Sequence, residues 1–139
     1  MSITMTLEEQ PNPADVAFIN EQLRLFNAAR SEEDDHRPFA ILMRDDAGHL
    51  AGGLLGGTYW GWLHVEILWV REDLRGQGFG KRLLVEAEAE AVRRGCRHVH
   101  LDTLDFQAPE FYRRLGYFVW GVLDDLPPGH QRIFLKKDL

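Results

Sequence analysis

The chain has 139 residues, about the size of one domain, and a globular composition of 45% hydrophobic and 27% charged residues. Its single cysteine excludes an intrachain disulfide, and no apolar run approaches the roughly 20 residues that a membrane span requires. The formal net charge of −6 disfavours nucleic acid as a partner, because phosphate binding requires a basic surface. The first ten residues lack the basic start and apolar core of a signal peptide, so we expect a cytoplasmic protein.

The first part of the chain predicts a strand, a helix and a hairpin. Residues 3–7 alternate apolar and polar side chains, as a short strand does. Asn12 and Pro13 form a favourable helix start, and apolar residues recur every three or four positions from there to about residue 30. The hairpin strands expected next are residues 39–44 and 49–59.

A third strand is predicted over residues 62–70. With regular alternation, one of its faces carries His64, Glu66 and Leu68. The other face then carries Leu63, Val65, Ile67 and Trp69. The preceding strand contains four glycines, which indicate a bulge or a close backbone approach: Gly52, Gly53, Gly56 and Gly57.

The second half of the chain predicts two helices and three strands after a glycine-rich loop. The helices are expected over residues 81–94 and 109–115, and the strands over residues 98–101, 117–123 and 132–136. Within the longer helix, the stripe expected to be buried comprises Leu83, Leu84, Ala87, Ala91 and Val92. The pattern predicts one α/β domain over residues 1–139, with a central, mostly antiparallel mixed sheet of six to seven strands flanked by about three helices.

The loop before the longer helix suits a pyrophosphate. Its alternating glycines allow backbone N–H groups to converge, and the helix that follows adds unpaired N–H groups and a positive dipole end. Arg75 and Lys81 add positive charge. A dinucleotide fingerprint would require glycine at position 81, and a P-loop would require glycine at position 75. A purely structural tight turn is the alternative.

The chain contains two spaced motifs. In the first, Arg75, Gly78 and Gly80 follow the pattern Arg/Gln-x-x-Gly-x-Gly/Ala. The second is an alanine four residues before a tyrosine and then x-x-x-Gly-aromatic, and it falls on Ala108, Tyr112, Gly116 and Tyr117. The two motifs resemble those of the GNAT superfamily of N-acetyltransferases, in which the first pattern binds acetyl-CoA. The order and spacing of elements match from about residue 3 to the last residues. The resemblance implies a GNAT-like fold, acetyl-CoA as co-substrate, no metal, and direct attack of an amine on the thioester without an acyl-enzyme.

The resemblance also implies a set of residues that bind acetyl-CoA. Many members carry asparagine seven residues before the tyrosine, where it helps to hold the pantetheine arm, whereas this chain has Asp105. An aspartate accepts hydrogen bonds there but has no amide N–H to donate. The implied cofactor-binding residues are Leu68, Trp69, Val70, Arg75, Gly76, Gln77, Gly78, Phe79, Gly80, Lys81, Asp105 and Ala108.

The reaction requires a neutral amine and a protonated leaving group. An alkylamine has a pKa of about 10.4, so that only about one molecule in 2,500 is neutral at pH 7, a difference of about 4.6 kcal/mol. Glu66 is the candidate general base, with desolvation expected from its apolar neighbours, and His64 is the second candidate. Tyr112 is the candidate general acid, as the motif implies. The alternatives are a surface or ion-paired Glu66 and a Tyr112 that only packs.

The sequence indicates less about the acceptor amine than about acetyl-CoA. Acidic residues recur near His36, between Asp102 and Asp105, and in the connection over residues 124–130, which favours a small cationic amine. Solvated loop charges are the alternative. Acetylation of a protein N-terminus or lysine, and a non-catalytic acetyl-CoA sensor, remain open, as does a homodimer. The four tryptophans, expected in the core with a pocket or dimer interface as the alternative, are Trp60, Trp62, Trp69 and Trp120.

Overall fold

The computed structural model describes all 139 residues and divides them into two compact units, residues 1–34 (unit 1) and 35–139 (unit 2). Unit 1 contains helix α1, Pro13–Ala28, whose first turn is capped by the Asn12 side chain at 2.9 Å from the Ala14 N–H. The strand predicted over residues 3–7 is wrong, because this short alternating segment has no strand to pair with. The single domain over residues 1–139 stays a prediction.

Unit 2 is built on one six-stranded sheet. The strands lie in the order β1-β2-β3-β4-β6-β5, and every neighbouring pair is antiparallel except β3 and β4. The expected α/β fold with a mostly antiparallel mixed sheet and three helices is therefore confirmed. Its elements are β1 (Arg37–Arg44), β2 (Leu50–Tyr59), β3 (Trp62–Val70), a 3-10 turn (Glu72–Leu74), α2 (Phe79–Arg93), β4 (His98–Leu104), α3 (Pro109–Arg114), β5 (Phe118–Asp124) and β6 (Gln131–Asp138).

Helix α2 packs its apolar stripe on one face of the sheet. Leu83, Leu84, Ala87 and Ala91 are buried there, as predicted. Val92 is 55% exposed, so its predicted burial is wrong; it lies about 100° around the helix from Ala91, beyond the edge of the stripe. The residues that α2 covers include Leu54, Leu63, Val65, Val99, Leu101 and Leu135. None of the three helices is long and apolar enough to span a membrane.

A β-bulge at Glu66 changes the alternation along β3. Leu55 of β2 lies opposite Ile67 and Gly56 lies opposite Val65, so Glu66 has no partner on β2. A Cβ atom at Gly56 would collide with the carbonyl oxygen of His64, which explains why glycine occupies the strand opposite the bulge. The close approach expected for the β2 glycines is thus confirmed.

The bulge moves Glu66 and Leu68 onto opposite faces. Val65 points into the core before the bulge and Leu68 packs on the core after it, whereas Glu66, Ile67 and Trp69 are exposed. The predicted grouping of Glu66 with Leu68 is therefore wrong. A single extra residue shifts the two-residue period of a strand by one position.

Strands β3 and β4 separate after a short paired segment. Their parallel ladder runs from Trp62 opposite His98 to Val65 opposite Leu101, and then stops. Both strands continue beyond that point, β3 to Val70 and β4 to Leu104. A cleft therefore opens between two strand edges whose backbone groups have no partner across it.

Candidate active site

A cavity of about 520 Å³ occupies the cleft between β3 and β4. It contains both proposed catalytic residues, Glu66 from the bulge and Tyr112 from α3. Five of the residues expected to bind acetyl-CoA also line it: Leu68, Trp69, Val70, Arg75 and Ala108. The cleft thus brings together residues that are separated by more than 40 positions in the sequence.

The glycine-rich loop leads from this cavity into α2. Gly76 and Gly78 adopt positive φ angles of 75° and 86°, and Gly78 caps the helix in the left-handed conformation. The first helical bond runs from the Arg82 N–H to the Gly78 carbonyl, so the preceding N–H groups are available to an anion. The expected residues of this segment that do not line the cavity are Gly76, Gln77, Gly78, Phe79, Gly80 and Lys81.

Arg75 connects the start of the loop to the end of β3. Its Nε donates to the Val70 carbonyl oxygen at 2.9 Å, which joins the end of β3 to the loop. Gln77 donates to the Asp73 carbonyl at 3.3 Å. Phe79 lines a separate cavity of about 500 Å³ beside β1. Only Arg75 therefore belongs both to the loop and to the cleft.

Glu66 is an exposed carboxylate on the cavity wall. It takes part in no hydrogen bond or ion pair, so both oxygens can accept a proton or a donor. The four apolar neighbours expected to desolvate Glu66 line the same cavity, but they leave the Glu66 side chain exposed: Val65, Ile67, Leu68 and Trp69. The exposed position matches the surface alternative, and the ion-paired alternative is absent from the structure.

Tyr112 reaches the cavity from a buried position. Its ring packs edge-on against Phe111 and Tyr117, with centroids 5.0 and 5.8 Å away. Burial, and secondarily the negative charge of Asp102, raise the pKa of Tyr112 to about 12. The phenol therefore stays protonated at neutral pH and can act as a donor.

Asp105 lies outside the cavity and is occupied elsewhere. One carboxylate oxygen is 3.0 Å from Nδ1 of His130, and the other accepts the Gln131 N–H at 3.1 Å. These bonds tie the end of β4 to the connection between β5 and β6. The structure places Asp105 in a structural bridge, so the role expected for it at the pantetheine arm stays a prediction.

His64 is directed toward β4 and does not line the cavity. Its ring stacks on that of His100, with centroids 4.5 Å apart and planes 2° from parallel. The Nε2 atom of His100 is 2.9 Å from the Tyr59 hydroxyl. Burial, followed by the nearby His64, lowers the pKa of His100, so this ring is neutral at pH 7.

Sequence reasoning missed the amide of Gln107 in the cavity, whereas Asp102 belongs to the acidic segment expected to border the acceptor. Gln107 accepts hydrogen bonds through Oε1 from the Thr103 hydroxyl at 3.2 Å and from the Leu104 N–H at 2.8 Å, which leaves its amide N–H₂ available. Asp102 lines the cavity and accepts from Nε of Arg132 at 2.8 Å. The sequence could have indicated Gln107, because its amide lies two residues after Asp105, the position where many family members carry an asparagine.

Comparison with known proteins agrees with this geometry. The model of the acetyltransferase (GNAT) family matches residues 4–117. The chain belongs to the GNAT family. The chain is therefore an acetyltransferase enzyme of the kind that uses acetyl-CoA, as the two sequence motifs indicated.

Three similar proteins extend over most of this acetyltransferase. Blasticidin-S acetyltransferase of Streptomyces morookaense is 47% identical over 102 residues, which are 73% of this chain and 75% of that protein. Acetyltransferase Atu2258 of Agrobacterium fabrum is 40% identical over 119 residues, 86% and 87% of the two chains. The crystal structure of an acetyltransferase from Bacillus cereus is similar with a TM-score of 0.86 and 34% identity, over 96% of this chain and 98% of that one.

Proposed function

We propose that this enzyme transfers the acetyl group of acetyl-CoA to a primary amine of a small, cationic molecule. The observation that supports this proposal most strongly is the cleft itself. There, a carboxylate from the β3 bulge and a protonated phenol from α3 line one cavity, beside an anion-accepting loop. A base, an acid and a phosphate site are the groups that this transfer requires.

The residues present fit acetyl-CoA. The N–H groups at the start of α2 suit the pyrophosphate, and the exposed Lys81 supplies positive charge there. The open edges of β3 and β4 offer backbone groups to the amides of the pantetheine arm. In place of the missing asparagine at position 105, Gln107 provides a side-chain amide donor within the cavity.

The two catalytic groups move protons in opposite directions. The amine nitrogen attacks the thioester carbonyl carbon, and Glu66 accepts the proton that the nitrogen loses, directly or through water. The C–S bond breaks as the new N–C bond is completed, and Tyr112 donates its proton to the sulfur. Negative charge on the carbonyl oxygen is stabilised by a backbone N–H of the open β3 edge near Val70. The products are an amide and the free CoA thiol.

Charge in the cleft supports a cationic acceptor. Glu66 and Asp102 both line the cavity, and Asp102 retains one carboxylate oxygen beyond its bond to Arg132. Carboxylates attract an alkylammonium and orient it through charge-assisted hydrogen bonds. The relative named for blasticidin-S acetylates that compound by its name, which supports a small molecule rather than a protein as the acceptor here.

The proposal is tested by the release of free thiol from acetyl-CoA in the presence of small primary amines and short peptides. Cys96 is buried, so that the folded enzyme adds little background to a thiol reagent. Release with small amines alone is the expected result. Release only with peptides would assign a protein acceptor, and acetyl-CoA binding without release from any acceptor would support the sensor alternative.

The Glu66→Gln variant tests the base. We expect kcat to fall by about 10²-fold or more at pH 7, because general base catalysis contributes about 10²–10⁴-fold. The loss should shrink as the pH approaches the pKa of the acceptor amine, where the amine is neutral without assistance. Glu110→Gln, on the exposed surface of α3, is the matched control and should retain full activity. An unchanged pH profile in Glu66→Gln would remove Glu66 from the mechanism.

A further inference from the structure

A third cavity of about 460 Å³ lies on the sheet face opposite α2. Core packing, the expectation for the tryptophans, is wrong for Trp60, Trp69 and Trp120, which are 39%, 47% and 56% exposed. Trp60 and Trp120 contribute to this third cavity, which we name the aromatic basin. Its lining is Tyr59, Trp60, Trp62, His100, Trp120 and Lys136.

The aromatic basin and the acidic residues of the catalytic cleft share one face of the sheet. His100 of the basin pairs in register with His64 of β3, and the two rings are stacked. Two residues further along each strand lie Glu66 and Asp102, which line the cleft. His64 of β3 is level with His100 of the basin. At about 3.3 Å per residue, Glu66 lies about 7 Å along β3 from His64 and about 13 Å from Trp62.

Ring contacts and one hydrogen bond hold the walls of the basin, and Trp120 packs on Phe134 of β6 with centroids 5.5 Å apart. The Trp62 ring packs on His98, with centroids 4.6 Å apart, and meets His100 edge-on at 5.6 Å. The Tyr59 hydroxyl is hydrogen-bonded to His100. Rings fixed in this way lose little side-chain freedom when a ligand binds, so that contact with them contributes effectively to affinity.

The charges of the basin select among the ligands that aromatic walls attract. Such walls bind cations through the faces of the rings, or planar groups by stacking. The Lys136 side chain contributes an ammonium to the lining, with its Nζ 5.5 Å from the Phe118 ring centroid. No carboxylate lines the basin, and its histidine is neutral at pH 7. A cation is therefore disfavoured, whereas an uncharged planar ring with an acceptor atom for Lys136 suits the site.

We propose that the aromatic basin is an acceptor subsite that binds a planar, uncharged ring, and that this ring is joined to the reacting amine by a linker of about 7–13 Å. This inference rests on the proposed function, since it names a second part of the same acceptor. The amine lies at Glu66 in the cleft while the ring stacks beside Trp62 and Trp120. The enzyme thereby selects acceptors that carry a ring at one end and an amine at the other.

A matched pair of acceptors tests the subsite. The first is an aminoalkyl chain on N1 of uracil, and the second carries the same chain on dihydrouracil, which keeps both carbonyls but is not planar. The expected KM is about three- to tenfold lower for the uracil compound, as stacking on aromatic walls implies. Trp120→Ala should abolish that difference while leaving the KM of acetyl-CoA unchanged. Leu123→Ala, an exposed residue of the same strand outside the basin, should preserve it.

Binding without turnover separates this inference from the proposed function. Quenching of tryptophan fluorescence by 1-methyluracil is expected in the wild type, with at least threefold weaker binding in Trp120→Ala. Turnover of no amine would refute the proposed function, whereas such quenching would still support the subsite. Equal KM values together with no quenching overturn the subsite. A dimer that Trp120→Ala dissociates, with equal KM values, also overturns it and assigns the basin to contact between two copies.

Discussion

Glu66 and Tyr112 line the same cavity in opposite environments. Glu66 is exposed and unpaired at a strand bulge, whereas Tyr112 is buried with a pKa raised to about 12. Burial keeps the Tyr112 phenol protonated at neutral pH, so the proposed donor is present in the form that can donate. Glu66 lacks the burial expected of a base, so its assignment depends on the pH dependence of the Glu66→Gln variant.

Proton donation by Tyr112 can be tested separately from the packing of its ring. In Tyr112→Phe the ring contacts remain, and we expect kcat to fall by about 10²-fold because the departing sulfur loses its proton donor. The affinity for acetyl-CoA and the free energy of unfolding should change little. The measurements are steady-state kinetics, calorimetric binding and urea denaturation. Full activity in this variant would leave Tyr112 with packing alone.

Tyr117→Phe is the complementary control at a neighbouring phenol. The Tyr117 hydroxyl donates to the Glu88 carboxylate at 2.7 Å, on α2 and away from the cavity. Its removal should lower the free energy of unfolding by about 1–3 kcal/mol, as expected for a hydrogen bond to a charged group. Its kcat should be unchanged. The two variants together separate catalysis from stability at adjacent aromatic residues.

Local sequence predicted the residues of the site better than their orientation. The motifs identified Tyr112 and Arg75, the predicted strand before the loop supplied Glu66, and the structure brings all three to one cavity. They could not show that Asp105 is engaged by His130 and Gln131, because that contact joins residues about 25 positions apart. The stacking of His64 on His100 is hidden for the same reason, since it depends on which strands pair.

At the scale of elements, the position of the bulge, at Glu66 of β3, escaped prediction. Residues 67–70 are all apolar, so the sequence does not show where the period of two shifts by one position. The glycines of β2 were the visible sign, because close approach at Gly56 requires the absence of a side chain. The bulge separates Glu66 from the core face, and it lies immediately after Val65, the last residue of β3 that pairs with β4.

The start of α2 provides a prediction at the same scale. Gly78 has a φ of 86°, and a Cβ there would meet no atom within 4 Å, so Gly78→Ala tests backbone conformation without a clash. We expect it to lower the free energy of unfolding by about 1–2 kcal/mol. The KM of acetyl-CoA should also rise about tenfold, because the N–H groups at the helix start turn away from the pyrophosphate.

Gly48→Ala is the matched control for the loop. Gly48 also has a positive φ, 83°, and open space around it, but it lies in the turn between β1 and β2. A similar loss of stability with an unchanged KM of acetyl-CoA is expected from thermal denaturation and kinetics. Equal KM values in both variants would show that the glycine loop is a structural turn only.

At the scale of the whole molecule, the succession of strands and helices in unit 2 was predictable because most of these elements have their own periodic signal. Six of the seven expected strands are present, and the seventh, residues 3–7, lacks a partner. Sequence alone could not order the strands, since β6 lies between β4 and β5 through a late return of the chain. That order places His100, Trp120 and Lys136 on three neighbouring strands, where they contribute to the aromatic basin.

The last prediction concerns the effect of the negative net charge on the attraction of cationic acceptors. The molecule carries a formal charge of −6, and Glu66 and Asp102 add negative charge at the cavity, so a diamine should be attracted more strongly than a monoamine. Salt screens such attraction, with a Debye length of about 10 Å at 0.1 M and about 3 Å at 1 M. At saturating acetyl-CoA, we therefore expect kcat/KM for a diamine to fall about three- to tenfold between roughly 0.05 and 0.5 M NaCl, and for a monoamine to fall less. Sucrose at equal osmolality is the control, and an equal response of both amines to salt would mean that these acidic residues are solvated and do not steer the acceptor.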